Sequence, residues 1–204
     1  MNSVPNEDNS TVLPPASSPD ATGPTVASPA GQKRLKPAVS GWLRDMLISL
    51  AVSAFFIIFL YQPVKVEGTS MMPTLDDQER VFINKFVYKL EPIEPGDVVV
   101  FHYPRDTAKS YIKRVVAVAG DRVKIEDGVV FVNGRRMREP YVPDAYEDVR
   151  SYPETVVPAH CYFVLGDHRN LSNDSRDFGP VDEAFIYGKA VFGYWPVAKL
   201  GKLR

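Results

Sequence analysis

Ser70, Lys113 and the acidic, hydroxyl-rich loop Gly166–Arg176 are the parts of this chain whose residue types could do chemistry. Ser70 lies in Gly68-Thr69-Ser70-Met71-Met72-Pro73-Thr74, where glycine and proline call for a tight turn and leave a small nucleophile on sparsely substituted backbone. A hydroxyl needs a base. Lysine serves as one only if burial lowers its pKa from about 10.4 toward neutrality. Lys113 sits in the strand-like, apolar run Ser110–Asp121, where side chains alternate between faces. Alternation places Lys113 with Tyr111, Val115 and Ala117, and turns Arg114 the other way with Ile112 and Val116. Histidine is the other option. Of the three histidines, His102, His160 and His168, the last stands between Asp167 and Arg169 and could build a Ser-His-Asp arrangement with Ser70. Taken alone, a solvated edge lysine and a plain loop histidine are the ordinary readings of these residues, so residue types leave the base open.

The frame that must position them is bounded by composition. With 204 residues, 45% of them hydrophobic, the chain can bury one domain core but hardly two. A net charge of −1 gives no basic stripe for a nucleic acid, so no nucleic-acid partner is expected. Cys161 is the single cysteine, which forbids an intramolecular disulfide, and no Cys/His group has zinc-ligand spacing; neither metal nor cofactor is expected.

Residues 1–38 are rich in Pro, Ser, Ala, Asn and Thr and are expected to form a disordered tail, since they have little apolar surface to offset ordering entropy. Residues 39–62 read as a transmembrane anchor. The uncharged part, Met46–Tyr61, is slightly short, but Trp42–Tyr61 supplies the roughly 20 residues a crossing needs when Arg44 and Asp45 reach back to the interface. The run ends in Phe59-Leu60-Tyr61-Gln62-Pro63 and lacks a small-x-small cleavage site, which favours an anchor over a removable signal. Lys33, Arg34, Lys36 and Arg44 on its N-terminal side predict a cytoplasmic tail, with everything after Tyr61 translocated.

Residues 63–204 carry short apolar runs with turn punctuation, the pattern of a β-rich domain. Strands are predicted at Val64–Val66, Arg80–Lys85, Asp97–His102, Tyr111–Ala119, Arg122–Ile125, Val129–Val132, Cys161–Leu165 and Lys189–Tyr194. Glu126-Asp127-Gly128 and Asn133-Gly134 read as hairpin turns. Residues 139–158 hold prolines, tyrosines and acids without a period and read as a surface loop or insertion. The fold class is mainly β with one N-terminal transmembrane helix.

Three blocks together resemble the bacterial type I signal peptidases, serine peptidases with a Ser-Lys dyad. Their Ser-Met-x-Pro-Thr motif matches Ser70–Thr74, and their Lys-Arg-Val/Ile run ending in Gly-Asp matches Lys113-Arg114-Val115 through Gly120-Asp121. Gly-Asp-x-Arg followed by Ser-x-Asp-Ser-Arg matches Gly166–Arg169 and Ser172–Arg176. The resemblance implies that Ser70 attacks, Lys113 takes its proton, Ser172 orients the lysine amine, and Asp174 and Arg176 brace the site. Asp174 and Arg114 look suited to pair across strands. The oxyanion would be held by the Ser70 N–H. Some members carry a second donor as a serine hydroxyl two residues before the nucleophile; here that position is Gly68, which offers only backbone.

By the same resemblance the substrates are the signal peptides of exported preproteins, with small residues at the first and third positions before the cut. Val66, Met71, Leu75, Val81, Val100, Tyr111 and Ile112 match positions lining those pockets, although each also reads as ordinary core. Extended substrate is expected along strand edges near Val64–Gly68 and Lys113. Phe82, Phe86, Trp195 and Val197 would rest on the lipid bilayer. The enzyme is expected as a monomer, single-pass in the bacterial cell (inner) membrane, with its catalytic domain outside the cytoplasm. Two rivals remain: a self-cleaving Ser-Lys protease, disfavoured by the anchor, and an inactive membrane-tethered β-rich binding module.

Overall fold

The computed structural model describes residues 38–203, so the expected tail at 1–38 lies outside the described residues except for Ala38. Two units are present, residues 1–43 and 44–204, and the first is represented only by the opening turns of helix α1 (Ala38–Leu60). Gly41–Leu60 is long and apolar enough to cross a membrane, and none of that stretch is buried by protein. At about 1.5 Å per residue it spans about 30 Å, the thickness of a hydrocarbon core. Leu47, Phe55, Ile58 and Phe59 all stand more than half exposed, an arrangement suited to lipid rather than water.

The strands that follow are β1 (Tyr61–Lys65), β2 (Arg80–Asn84), β3 (Val98–Tyr103), β4 (Asp106–Ala117), β5 (Arg122–Glu126) and β6 (Val129–Val132). Then come β7 (Arg135–Arg136), β8 (Tyr152–Val156), β9 (Cys161–Leu165), the short helix α2 (Ser175–Phe178), β10 (Val181–Asp182), β11 (Ile186–Trp195) and β12 (Gly201–Lys202). The larger sheet runs β1-β2-β11-β3-β4-β9-β10 with β12 added to β11, and a four-stranded sheet runs β7-β6-β5-β8. All pairings are antiparallel.

Strand β3 shows why the sheet closes around the site. Val98 and Val100 pack with Val66, Met71, Leu75 and Val81, whereas Val99 and Phe101 pack with Val115, Val164 and Val181. A strand covered on both faces reads as an unbroken apolar run, and Val98–Phe101 is one. A third cluster joins Val116, Ala117, Phe163 and Leu165 to Val123, Ile125 and Val130 of the small sheet.

Both predicted hairpin turns form. Glu126 pairs with Val129 and Val132 with Arg135, leaving Asp127-Gly128 and Asn133-Gly134 at the tips with positive φ throughout, the type I′ geometry. Other edges differ from the sequence reading. β1 begins at Tyr61, directly where α1 ends, and β4 begins at Asp106, because its outer residues are polar and give no apolar signal. The segment 139–158, read as a surface loop or insertion, contributes β8, which pairs with β5.

Candidate active site

Lys113 lies on β4 directly opposite Val99, and its side chain is 3% exposed. Its Nζ meets Ser70 Oγ at 2.5 Å. Among the described residues no carboxylate lies within ion-pair distance of that amine. Burial therefore dominates and lowers its pKa to about 8, against the opposing charges of Asp174 and Asp167, with Arg176 lowering it further. Ser70 comes from the turn after β1, in which Met72 N–H bonds Thr69 carbonyl and Leu75 N–H bonds Met71 carbonyl. His168 does not reach Ser70 Oγ. Its Nδ1 bonds the Thr69 carbonyl at 3.1 Å and Asp167 is occupied elsewhere, so the Ser-His-Asp arrangement is not assembled.

Arg114 grips Asp167 with a two-pronged contact, Nε to Oδ1 at 2.9 Å and Nη2 to Oδ2 at 2.7 Å. The expected pairing of Arg114 with Asp174 gives way to this one for a reason of register. Arg114 pairs with Leu165 on β9, and Asp167, two residues further along the chain, falls on the same face. Thr74 joins the pair by donating to Asp167 Oδ2 at 2.5 Å and accepting from Arg114 Nη2 at 3.2 Å, which ties the Ser70 turn to the sheet.

Asp174 caps α2 instead. It accepts from Arg176 Nε at 2.8 Å and Nη2 at 2.7 Å, and from Gly166 N–H at 3.1 Å. Burial pushes its carboxyl upward, but the bonds and charge of Arg176 outweigh that and hold it below the usual carboxylate range. Among the described residues Ser172 Oγ is buried with no well-formed hydrogen bond, although it lies close enough to Asp174 to help hold that carboxyl down, and the expected bond to the lysine amine is not made here: Nζ is engaged by Ser70. The hydroxyl presses on Gly166, where an added Cβ would lie 2.2 Å from Ser172 Oγ and 2.5 Å from the Ser70 carbonyl oxygen. Only glycine fits.

Gly68, which could offer only backbone toward the oxyanion, has its N–H engaged elsewhere. At φ +97 it turns its N–H onto Asp77 Oδ1 at 2.8 Å, so that donor is already used. The bond holds the Asp77 carboxyl below its usual range. A groove of about 400 Å³ opens at Ser70 and Lys113 between Val64–Ser70 and Ser110–Lys113, closed by Val100, Leu171, Asn173 and Tyr187. Of the expected pocket residues, Val66, Val100, Tyr111 and Ile112 line it. Met71, Leu75 and Val81 are at most 1% exposed and form the core behind it, because the Met71–Leu75 turn bends inward. A larger depression around Lys85, Tyr88 and His160 includes neither Ser70 nor Lys113.

A profile of the Signal peptidase, peptidase S26 family matches residues 39–195 of this chain. The chain belongs to that family. Signal peptidase IB of Staphylococcus aureus is 38% identical over 178 residues, covering 77% of this chain and 92% of the relative. Signal peptidase I of Bacillus caldolyticus is 37% identical over 163 residues, covering 73% of this chain and 87% of the relative. A solved signal peptidase I from Enterococcus faecalis V583 overlays 48% of this chain and 97% of its own at 29% identity and TM-score 0.44. This signal peptidase is thus a serine peptidase that removes signal peptides from preproteins. Its apolar helix and its family together suggest a membrane-anchored enzyme.

The sequence reading of this peptidase passed over the strap 139–150, whose side chains hold the loop 166–177. Glu139 takes Arg169 at 2.5 and 2.9 Å, and the ring of Tyr141 lies 4.0 Å from the Arg114 guanidinium. Tyr146 packs on His168 at 4.1 Å between ring centroids. Asp148 binds both Arg150 and Arg176, and Arg150 Nη2 donates to the Arg169 and Ser172 carbonyls at 3.0 and 3.3 Å. The available signal was a run of prolines, tyrosines and acids with no period, which does not name its partners.

Proposed function

We propose that Ser70 and Lys113 form the peptide-cleaving dyad, and the 2.5 Å contact of Ser70 Oγ with a buried lysine amine that has no carboxylate partner among the described residues carries this reading. In its neutral form Lys113 accepts the Ser70 proton as Oγ attacks the scissile carbonyl carbon. The oxyanion that develops takes a hydrogen bond from the Ser70 N–H. Protonated Lys113 then gives the proton to the departing amine nitrogen, releasing the mature protein and leaving the signal peptide esterified to Ser70. Water attacks that ester, Lys113 takes the water's proton, and Oγ leaves as its hydroxyl is restored. Ser172 steadies the amine once Nζ turns from Oγ, while Asp174 with Arg176 and Arg114 with Asp167 hold the surrounding loop.

Substrate lies extended in the groove. Among the described residues β1 pairs only with β2, and Ser110–Lys113 of β4 pairs only with β3, so each offers an edge to a third strand. Val66, Val100, Tyr111 and Ile112 then meet alternate substrate side chains and leave room for small ones. The N-terminus is cytoplasmic and the catalytic unit lies outside the bacterial inner membrane as a monomer. Trp195 and Val197, 53% and 68% exposed, rest on the lipid, with Phe82 and Phe86 half-buried behind.

The test is to incubate purified enzyme with a preprotein and sequence the new N-terminus. Wild type releases a chain cut after a small-x-small pattern, and Ser70→Ala and Lys113→Ala release none. Cleavage by Ser70→Ala overturns the dyad. A reporter fused after Arg204 is exported and one fused at residue 30 stays inside; the reverse pattern overturns the orientation.

A further inference from the structure

We infer that His168 is a positioning residue that sets the direction of the oxyanion-binding Ser70 N–H, a role that rests on Ser70 being the nucleophile. One residue pins both peptide planes that flank Ser70. The His168 backbone N–H donates to the Ser70 carbonyl at 3.1 Å, and the ring Nδ1 bonds the Thr69 carbonyl at 3.1 Å. A carbonyl only accepts, so Nδ1 carries the proton in this contact. The Thr69 carbonyl belongs to the same planar peptide as the Ser70 N–H, and in a trans peptide the two point in opposite directions. Holding the oxygen on one side therefore aims the N–H on the other.

The ring cannot swing away freely. It is 7% exposed and is backed by Tyr146 of the strap at 4.1 Å. Gly166 also lies against the turn, so close that a Cβ there would stand 2.5 Å from the Ser70 carbonyl oxygen. The turn is thus clamped before substrate arrives. A donor fixed in advance needs no reorganisation as charge develops, which is where such groups contribute most to rate.

Four substitutions separate a hydrogen bond from mere bulk, each assayed in the full chain for kcat and KM on one preprotein, with thermal unfolding measured alongside. His168→Asn puts an amide nitrogen at the bond distance from the backbone that Nδ1 has, whereas His168→Gln puts it one bond further out. His168→Phe keeps the ring against Tyr146 but has no donor, and His168→Ala removes both. We expect Ala, Phe and Gln to lose about ten- to a hundredfold in kcat with KM within about twofold, and Asn to recover to within about threefold of wild type. Wild-type kcat in His168→Phe, or equal rates in the Asn and Gln variants, overturns the role. Ser70→Ala run beside them distinguishes the failures: activity there removes the nucleophile assignment, whereas an inactive Ser70→Ala with indifferent His168 variants removes this inference alone.

Discussion

The two halves of β4 carry one lysine each and treat it in opposite ways. Among the described residues Asp106–Ser110 is bordered by β3 alone, and there Lys109 is exposed and bound to Asp106 at 2.9 Å. Hydrogen bonding to that carboxylate raises the Lys109 pKa. Four residues on, one residue before β9 joins the strand at Arg114, Lys113 is buried against a hydroxyl and its pKa falls to about 8. The same side chain on the same strand is held as a cation in one half and drawn toward its neutral form in the other. What changes is solvent and partner: water and a carboxylate stabilise the ammonium, and the inner half of the strand supplies neither.

The strongest way to break that contrast is at the inner lysine. Lys113→Arg and Ser70→Ala should each lower kcat/KM by at least about a thousandfold with the circular dichroism spectrum unchanged, since a guanidinium stays protonated. Substantial turnover by Lys113→Arg would remove the lysine base. Ser172→Ala should follow, losing about ten- to a thousandfold in kcat at nearly unchanged KM, the span for disordering a base rather than deleting it. A rise in KM alone would reassign Ser172 to substrate binding.

The pH profile sharpens the comparison. Only neutral Lys113 accepts a proton, so kcat/KM should climb about tenfold per unit below pH 8 and level off above it. A flat profile from pH 6 to 9 would contradict the assignment. Stability follows the same proton. Between pH 8 and 10.5 the unfolded chain binds a proton that the folded chain has lost, so stability rises with pH across that window. Below pH 8 both states carry the proton and burying the ammonium costs its full amount, about 3 kcal/mol. Lys113→Met should therefore be inactive yet more stable than wild type at pH 7, and a lower midpoint in thermal unfolding would refute this. The smallest effect is expected at the outer lysine, where Lys109→Ala should keep kcat/KM within about twofold and an unchanged pH profile. A larger loss would mean the outer half of β4 also serves the reaction.

Much of the frame was legible because it is written in local patterns. The apolar run before Tyr61, the unbroken Val98–Phe101 and the Asp127-Gly128 and Asn133-Gly134 turns each depend on neighbours within a few positions. Strands β7, β10 and β12, two residues each, carry no period to detect. The strap 139–150 was opaque for a different reason: its side chains work by reaching residues far along the chain, such as Glu139 with Arg169 and Asp148 with Arg176.

By itself the sequence determined which residue types stand ready for chemistry, the strand that carries Lys113 and the turn that carries Ser70. Tertiary structure decided which partner each group takes. Arg114 faces two candidate aspartates in one loop, and the register of β4 on β9 selects Asp167 while the cap of α2 claims Asp174. Gly68 keeps its freedom to turn but spends its N–H on Asp77, and His168 forgoes the serine hydroxyl for the carbonyl of Thr69. Each choice turns on distances of about 3 Å between atoms from different elements, and a hydrogen bond is lost within about half an ångström beyond that. Sequence order places residues on elements, and packing alone brings those elements to bonding distance.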